Sequence, residues 1–244
     1  VEDAVFLDTL LDQGVPVCIR LEMSCDVGAD VKGFNVIGEI PGSQFPQEVI
    51  LVGGHIDSWD AGDGAHDNGA GCIHSMEALS LFKRLGLAPR RTLRCVLFVS
   101  EEYGSHGAKS YAEWQKSQDE TLLAALESDR GGFVPRGLYV QGDLQVLDTM
   151  NRWLPVLGQC GIDWIRPGGS GADTSHLDMA TMRAGLVVDS QRYFDLHHSA
   201  NDTLDKVHPR ELELGSAAMA TLLFLVSEYG LPDPAPMEMR NLAE

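Results

Sequence analysis

The stretch EVILVGGHIDSWDAGDGAHDNGAG, residues 48–71, decides the fold of this chain. Residues 49–52 are all apolar, and such a run predicts a strand buried on both faces, as in a parallel sheet. A glycine-rich loop follows, and a helical pattern then covers 68–85. One side of that helix carries the apolar residues Ile73, Met76, Leu79 and Phe82. A buried strand that leads through a loop into a helix indicates an α/β protein.

The alternation of strands and helices continues on both sides of this stretch. Further strands are expected at 15–23, 35–40, 92–100, 122–126, 138–141 and 185–188. Further helices are expected at 3–13, 106–117, 144–159, 177–182 and 209–229. We therefore predict an α/β fold with a mostly parallel central sheet flanked by helices.

Polar side chains follow the predicted buried strands. His55 lies just past the end of the first, and Glu101 and Glu102 directly follow the second. Asp129 follows the third, where Glu127 is an alternative because alternation can turn either residue inward. Open α/β sheets bind their ligands at the carboxyl ends of strands, so we expect these side chains to meet there.

These residue types form a set of metal ligands. His55 is followed two residues later by Asp57, and a metal-bound imidazole usually donates its other N–H to a carboxylate. Asp67 lies in the glycine-rich loop, and His197 and His198 compete as the last ligand. Imidazole and carboxylate groups bind zinc, and a set of this size can hold two divalent ions. The pattern points to metal-assisted hydrolysis.

The composition argues against several other classes. A formal net charge of −18 disfavours nucleic acid or an anionic membrane as a partner. No run approaches the roughly 18 consecutive apolar residues that span a bilayer, and the chain has no HExxH, G-x-S-x-G or P-loop motif. Cys72 and Cys95 are expected to be buried thiols, while a local disulfide between Cys18 and Cys25 is left open.

Four segments together resemble the M28 family of zinc metallopeptidases. They are GHIDSWDAGDGAHDNGAG at 54–71, RTLRCVLFVSEEYGSHGA at 91–108, ESD at 127–129 and HHSANDTLDKV at 197–207. The resemblance extends over about residues 34–229 and is nearest to a branch that inserts a protease-associated domain before the metal site. It implies a fold of the zinc-aminopeptidase, phosphorylase/hydrolase-like kind.

The resemblance implies two Zn²⁺ ions per chain and a role for each residue. The implied ligands are His55 and Asp129 for one ion, Glu102 and His198 for the other, and Asp67 as the bridge between them. Glu101 would be the general base, and Asp57 would orient His55. His198 is selected over its neighbour because the family's ligand lies four residues before an Asp-Thr pair, here 202–203. The peptide bond between residues 67 and 68 is expected to be cis.

The implied activity is that of an exopeptidase acting on dipeptides or short peptides at a free N-terminus. A metal-bridging hydroxide would attack, with Glu101 as the general base. Two alternatives are weighed: a glutaminyl-cyclase-like acyltransferase, which would need only one zinc, and a non-catalytic receptor-like relative, whose ligands would be eroded. Asp173, after the loop 168–171, resembles the family's substrate-side loop position.

The resemblance also divides the chain. Residues 1–31 are expected to be the C-terminal remnant of the inserted domain, 32–230 the catalytic domain and 231–244 a tail. A remnant of this size cannot build its own core, so we expect the natural chain to extend upstream and this fragment alone to be poorly soluble or inactive. A secreted, periplasmic or lysosomal location is expected, the partner is a peptide substrate, and a homodimer is left open.

Overall fold

The computed structural model describes residues 2–26 and 28–232. The chain divides into two units, Val1–Lys32 and Gly33–Glu244. The first contains helix α1, Glu2–Asp12, which ends just before Gly14, a glycine with a φ of 71°. The helix expected at 3–13 is therefore confirmed.

The strand expected at 15–23 is wrong. No strand occurs in the described residues of the first unit, and the side chains of Ile19 and Leu21 are 67% and 77% exposed. A strand needs hydrogen bonds to a partner strand, and the described part of this unit offers none. Cys18 and Cys25 are exposed and free, so the local disulfide is not formed.

The second unit is built on one seven-stranded sheet. Its strands are β1 (Val36–Ile40), β2 (Phe45–His55), β3 (Arg91–Phe98), β4 (Thr121–Glu127), β5 (Pro135–Gln141), β6 (Trp164–Pro167) and β7 (Met182–Val188). Its helices are α2 (Ala70–Arg84), α3 (His106–Lys116), α4 (Leu144–Leu157) and α5 (Pro209–Tyr229). The strand order is β1-β3-β2-β4-β7-β5-β6, with antiparallel pairing only in β1/β3 and β5/β7 among the described strands. The predicted mostly parallel α/β sheet is confirmed.

Strand β2 is buried on both faces, as its apolar run predicted. Ile50 and Val52 belong to the core cluster that contains side chains of α2 and α5. Val49 and Leu51 belong to the cluster that contains side chains of α3. Helices thus cover both faces of this strand. Its carboxyl end lies at the end of the sheet where the parallel strands finish.

Two local predictions differ from the structure. The helix expected at 177–182 is wrong: a short 3₁₀ turn covers Thr174–His176, and Met182 already begins β7. On α2, Ile73 and Met76 are 42% and 43% exposed. The small residues on the neighbouring side of α2 face the sheet instead, because they let the helix approach it closely.

Helix α5 has the bounds that the sequence predicted. It packs against α2. By length and composition it is the one described helix that could cross a membrane, and half of its most apolar window is buried inside this fold. Of the tail expected at 231–244, residues beyond 232 lie outside the described part of the chain.

Close packing at two glycines brings the ends of β2 and β4 to the start of α2. A Cβ atom on Gly71 would clash with the backbone carbonyl of Ser128 and with the side chain of Asn68. A Cβ atom on Gly54 would lie 3.1 Å from the backbone carbon of Gly71. Because positions 54 and 71 carry no side chain, the three segments can come this close to one another.

We predict that Gly71→Ala lowers the free energy of unfolding by about 1–3 kcal/mol, the usual cost of overpacking, because a backbone carbonyl cannot rotate away. Denaturant unfolding monitored by circular dichroism measures the change. Gly158→Ala is the matched control, since Gly158 has a φ of −60° and its new Cβ would meet nothing within 4 Å. Equal losses in the two variants would contradict the role of close packing at Gly71.

Candidate metal centre

The carboxyl ends of β2, β3 and β4 meet at one edge of the sheet. The chain passes from β2 to β3 on one side and then crosses to β4 on the other side of β2. Open α/β sheets bind ligands in the crevice at such a reversal of strand order. His55 is the last residue of β2, rather than just past its end, and Asp129 follows β4 closely.

His55 belongs to a first group of donor atoms. Its Nε2 lies 3.3 Å from Asp67 Oδ1 and 3.3 Å from Asp129 Oδ1. Its Nδ1 donates a hydrogen bond of 2.9 Å to the backbone carbonyl of Asp57. That bond places a proton on Nδ1, so Nε2 is the nitrogen that faces the group and that a metal ion would bind.

His198 belongs to a second group of donor atoms. Its Nε2 lies 3.2 Å from Asp67 Oδ2 and 3.3 Å from Glu102 Oε2. The Nε2 of His197 is also 3.4 Å from Asp67 Oδ2, and the two imidazole rings stack. Among the described ion pairs, His197 has none with Glu102. His198 therefore contacts two carboxylates of the site, and His197 contacts one.

The spacing and chemistry of these donors fit Zn²⁺. Two atoms bound about 2.0–2.2 Å from one tetrahedral zinc ion lie about 3.3–3.6 Å apart, close to the separations within both groups. Asp67 contributes one oxygen to each group. Asp67 Oδ2 and Glu102 Oε1 are buried without a hydrogen-bond partner among the described residues, which is unfavourable unless a cation binds them.

The pKa values of three groups in this cluster shift so as to reduce its negative charge, whereas that of Asp67 is lowered, because burial raises it but the hydrogen bond and charge of His55 outweigh burial. Burial lowers the pKa of His55, but hydrogen bonds to Asp129 and Asp67 outweigh burial and raise it to about 12. Burial, and then the charge of Asp67, raises the pKa of Glu102 to about 7. Burial likewise raises the pKa of Glu101. The cluster takes up positive charge, which a bound metal ion also supplies.

The carboxylate of Asp57 holds the two glutamates rather than the His55 ring. Its oxygens accept hydrogen bonds from the backbone N–H of Glu101 at 3.0 Å and of Glu102 at 3.2 Å. The distance from Asp57 Oδ1 to His55 Nδ1 is 3.7 Å, too long for a hydrogen bond. Asp57 thus contacts His55 through its backbone carbonyl, which the sequence pattern did not reveal.

The structure distinguishes Asp129 from Glu127. Glu127 is fully buried and accepts hydrogen bonds from the hydroxyl and the backbone N–H of Thr174, at 2.6 and 2.7 Å. Asp173 is also fully buried, and its two carboxylate oxygens have no hydrogen-bond partner among the described residues. Burial, then other carboxylates nearby, raises the pKa of both Glu127 and Asp173. Asp173 is therefore buried behind the site and lines neither cavity described below.

The backbone of Asp67 is held from both sides. Its peptide bond to Asn68 is cis, as expected. The buried carboxylate of Asp202 accepts hydrogen bonds from the backbone N–H of His66 at 2.7 Å and of Asp67 at 2.9 Å. Asn68 Oδ1 accepts from the N–H of Gly71 at 2.9 Å, at the start of α2. Sequence reasoning used Asp202 only to select His198 and missed this contact.

A cavity of about 430 Å³ opens over the donor groups. Aromatic side chains form part of its wall, namely Trp59 from a loop and Tyr193 and Phe194 from the 3₁₀ helix Ser190–Asp195. A second cavity of about 250 Å³ is lined by the loop 169–172, and Asp129 and Arg130 line both cavities. None of these wall residues except Asp129 was predicted, because an isolated aromatic or arginine residue carries no motif.

Residues 35–223 match the description "Peptidase family M28", and the chain belongs to this family. It is 37% identical to human carboxypeptidase Q over 229 residues, which are 93% of this chain and 48% of that protein. It is 26% identical to leupeptin-inactivating enzyme 1 of Streptomyces exfoliatus, over 87% of this chain and 52% of that protein. The chain thus spans about half the length of the relatives it matches.

Solved structures share the fold. A peptidase M28 precursor from Shewanella amazonensis has a TM-score of 0.85 at 32% identity, over 96% of this chain and 54% of that chain. A zinc aminopeptidase from Bacillus subtilis has a TM-score of 0.61 at 19% identity, over 77% and 49%. A glutaminyl cyclase from Fimbriiglobus ruber has a TM-score of 0.58 at 18% identity, over 79% and 74%. The last two show the fold alone.

We predict that Asp202→Asn weakens zinc binding about 10–100-fold, the usual effect of losing a group that orients a ligand. The backbone N–H groups at residues 66 and 67 bond to different oxygens of Asp202, and an asparagine would place its NH₂ group, a donor, against one of them. Competition with a chelator measures the affinity. Asp205→Asn is the control, since Asp205 is an exposed carboxylate bonded to Thr203 and Lys206. Unchanged affinity in Asp202→Asn would refute the prediction.

Proposed function

We propose that this chain is the catalytic part of a dizinc exopeptidase that hydrolyses dipeptides or short peptides at a free N-terminus. The observation that carries the proposal is the position of Asp67, whose two oxygens belong to different donor groups. Membership of peptidase family M28 supports hydrolysis of a peptide bond. The names of its relatives, carboxypeptidase Q and a leupeptin-inactivating enzyme, agree with peptide substrates.

Five side chains would hold the two ions: His55 and Asp129 one, Glu102 and His198 the other, and Asp67 both. When bound, zinc polarises a carbonyl group and lowers the pKa of water to about 7. The other steps belong to residues of this chain. Asp57 fixes the backbone that carries Glu101 and Glu102, so that the two carboxylates are separately positioned.

Glu101 is suited to move the proton. Its carboxylate lines the cavity, and its nearest oxygen is 3.9 Å from His55 Nε2, farther than the donors within either group. In the proposed reaction, Glu101 accepts a proton from the attacking water as the new C–O bond forms. It then gives that proton to the amine nitrogen as the C–N bond breaks.

The cavity suits a free N-terminus and an apolar side chain. Glu101, Glu102 and Asp129 line it and attract the ammonium group of the substrate. The rings of Trp59 and Phe194 on its wall supply apolar surface for the first side chain of the peptide.

The zinc content separates this function from the alternative of a glutaminyl cyclase, which would need only one ion. We expect two zinc ions per complete chain, because two donor groups share Asp67. Elemental analysis of active, purified protein measures the ratio, and assays compare amino-acid release from dipeptides with cyclisation of an N-terminal glutamine. One ion per chain together with cyclisation would favour the acyltransferase.

Substitution of either glutamate tests whether Glu101 moves the proton and Glu102 binds zinc. Glu101→Gln is expected to keep the zinc content nearly intact and to lower kcat by about 10²-fold or more, the scale of general-base loss. Glu102→Gln is expected to lose metal, because an amide is a weaker zinc ligand than a carboxylate. If the two variants exchange these phenotypes, the assigned roles are wrong.

Three further proposals concern the whole protein. The division into 1–31, 32–230 and 231–244, the secreted, periplasmic or lysosomal location and the homodimer stay predictions. Expression of this chain beside an upstream-extended one, followed by sedimentation and dipeptide assays, tests the first and the last. A cooperatively folded, monomeric and fully active fragment would contradict both.

A further inference from the structure

We propose that Arg130 binds the C-terminal carboxylate of the substrate and thereby makes the enzyme select dipeptides with a free C-terminus. This inference rests on the proposed peptidase function and names the group that would set substrate length. It depends on three observations. Arg130 lies between two cavities, its guanidinium forms no ion pair among those described, and carboxylate groups lie nearby.

Arg130 lies at the junction of the two cavities. It directly follows Asp129 in the chain, and these two residues line both the 430 Å³ cavity over the donor groups and the 250 Å³ cavity beside the loop 169–172. Among the described residues, no other arginine or lysine lines either cavity. A substrate that extends from one cavity toward the other passes this side chain.

The guanidinium of Arg130 is available to a ligand. It lies over the ring of Tyr139, 5.7 Å from the ring centroid, and forms no ion pair among those described. Arg192 offers a contrast, because it also lies over a ring, that of Phe133, but pairs with Glu211. A guanidinium on an aromatic ring keeps its N–H donors in a planar fork that matches a carboxylate.

The charge of the surroundings makes such a cation necessary. A peptide carboxylate near the junction would lie beside Asp129, which lines both cavities, and a cation that pairs with the peptide offsets the repulsion between the two carboxylates. One residue of chain spans at most about 3.3–3.6 Å. The carboxylate of a dipeptide therefore lies close to the scissile bond, within reach of a residue adjacent to the donor Asp129.

The test compares leucyl-alanine with its C-terminal amide, using complete, zinc-loaded protein. The wild type is expected to show a kcat/KM about 10–100-fold higher for the free acid, the range for a hydrogen bond between charged groups. Arg130→Gln should bring the ratio of kcat/KM for the acid to kcat/KM for the amide close to one, and Arg130→Glu should make the amide the better substrate. Arg166→Gln is the matched control, an exposed arginine over the ring of Trp164 and outside both cavities, and it should keep the preference.

Binding gives a second readout that does not depend on turnover. Calorimetry with Glu101→Gln protein should show tighter binding of the acid than of the amide, and the added Arg130→Gln exchange should remove the difference. An unchanged preference in Arg130→Gln, or none in the wild type, would overturn the inference while leaving the peptidase function intact. Failure of the wild type to hydrolyse either compound would overturn the proposed function, and the binding measurement would then decide separately on Arg130.

Discussion

The carboxylate of Asp67 lies between the Nε2 atoms of His55 and His198, with one oxygen toward each. Contacts from distant parts of the second unit hold it there. Asp202, which precedes α5, binds the backbone N–H of Asp67, and the glycines at 54 and 71 let β2 and the start of α2 approach closely. Because these contacts join segments far apart in sequence, the donor groups come together only when the sheet has formed.

The same arrangement concentrates negative charge in a buried place. Carboxylate oxygens of Asp67 and Glu102 lack hydrogen-bond partners among the described residues, and a group of this kind reduces the stability of the folded state. A cation that binds the folded but not the unfolded chain restores that stability by mass action. Binding of a metal ion here would therefore be coupled to folding of this unit, and the buried carboxylates are better understood as a binding site than as a contribution to the core.

The sequence was sufficient to predict six of the seven strands of the sheet, all but β6, together with most of its helices and the side chains at the strand ends, because each follows from a local pattern. The strand expected at 15–23 is wrong because an alternating pattern does not by itself make a strand, which also needs hydrogen bonds to a partner strand. Glu127 and Asp129 could not be separated by pattern, since one ends β4 and the other follows it closely. Their contacts distinguish them, because Glu127 bonds to Thr174 and Asp129 lies beside His55. The contact of Asp57 with His55 was expected through a carboxylate and occurs through a carbonyl, a difference that residue identity does not encode.

Donors and cavity walls differ in how much they constrain the sequence. A zinc ligand must be one of a few residue types at a strand end, so it leaves a readable motif. Arg130 lies in a loop and Phe194 in the short 3₁₀ helix Ser190–Asp195, and both need only present a surface, so other residues can replace them without disturbing the donors. Because such wall residues can vary independently of the donors, one fold can host different functions. The fold of this chain is similar both to that of a peptidase and to that of a glutaminyl cyclase. Family membership therefore predicts the bond-breaking chemistry of this chain, whereas its choice of substrate depends on the loops around the donors.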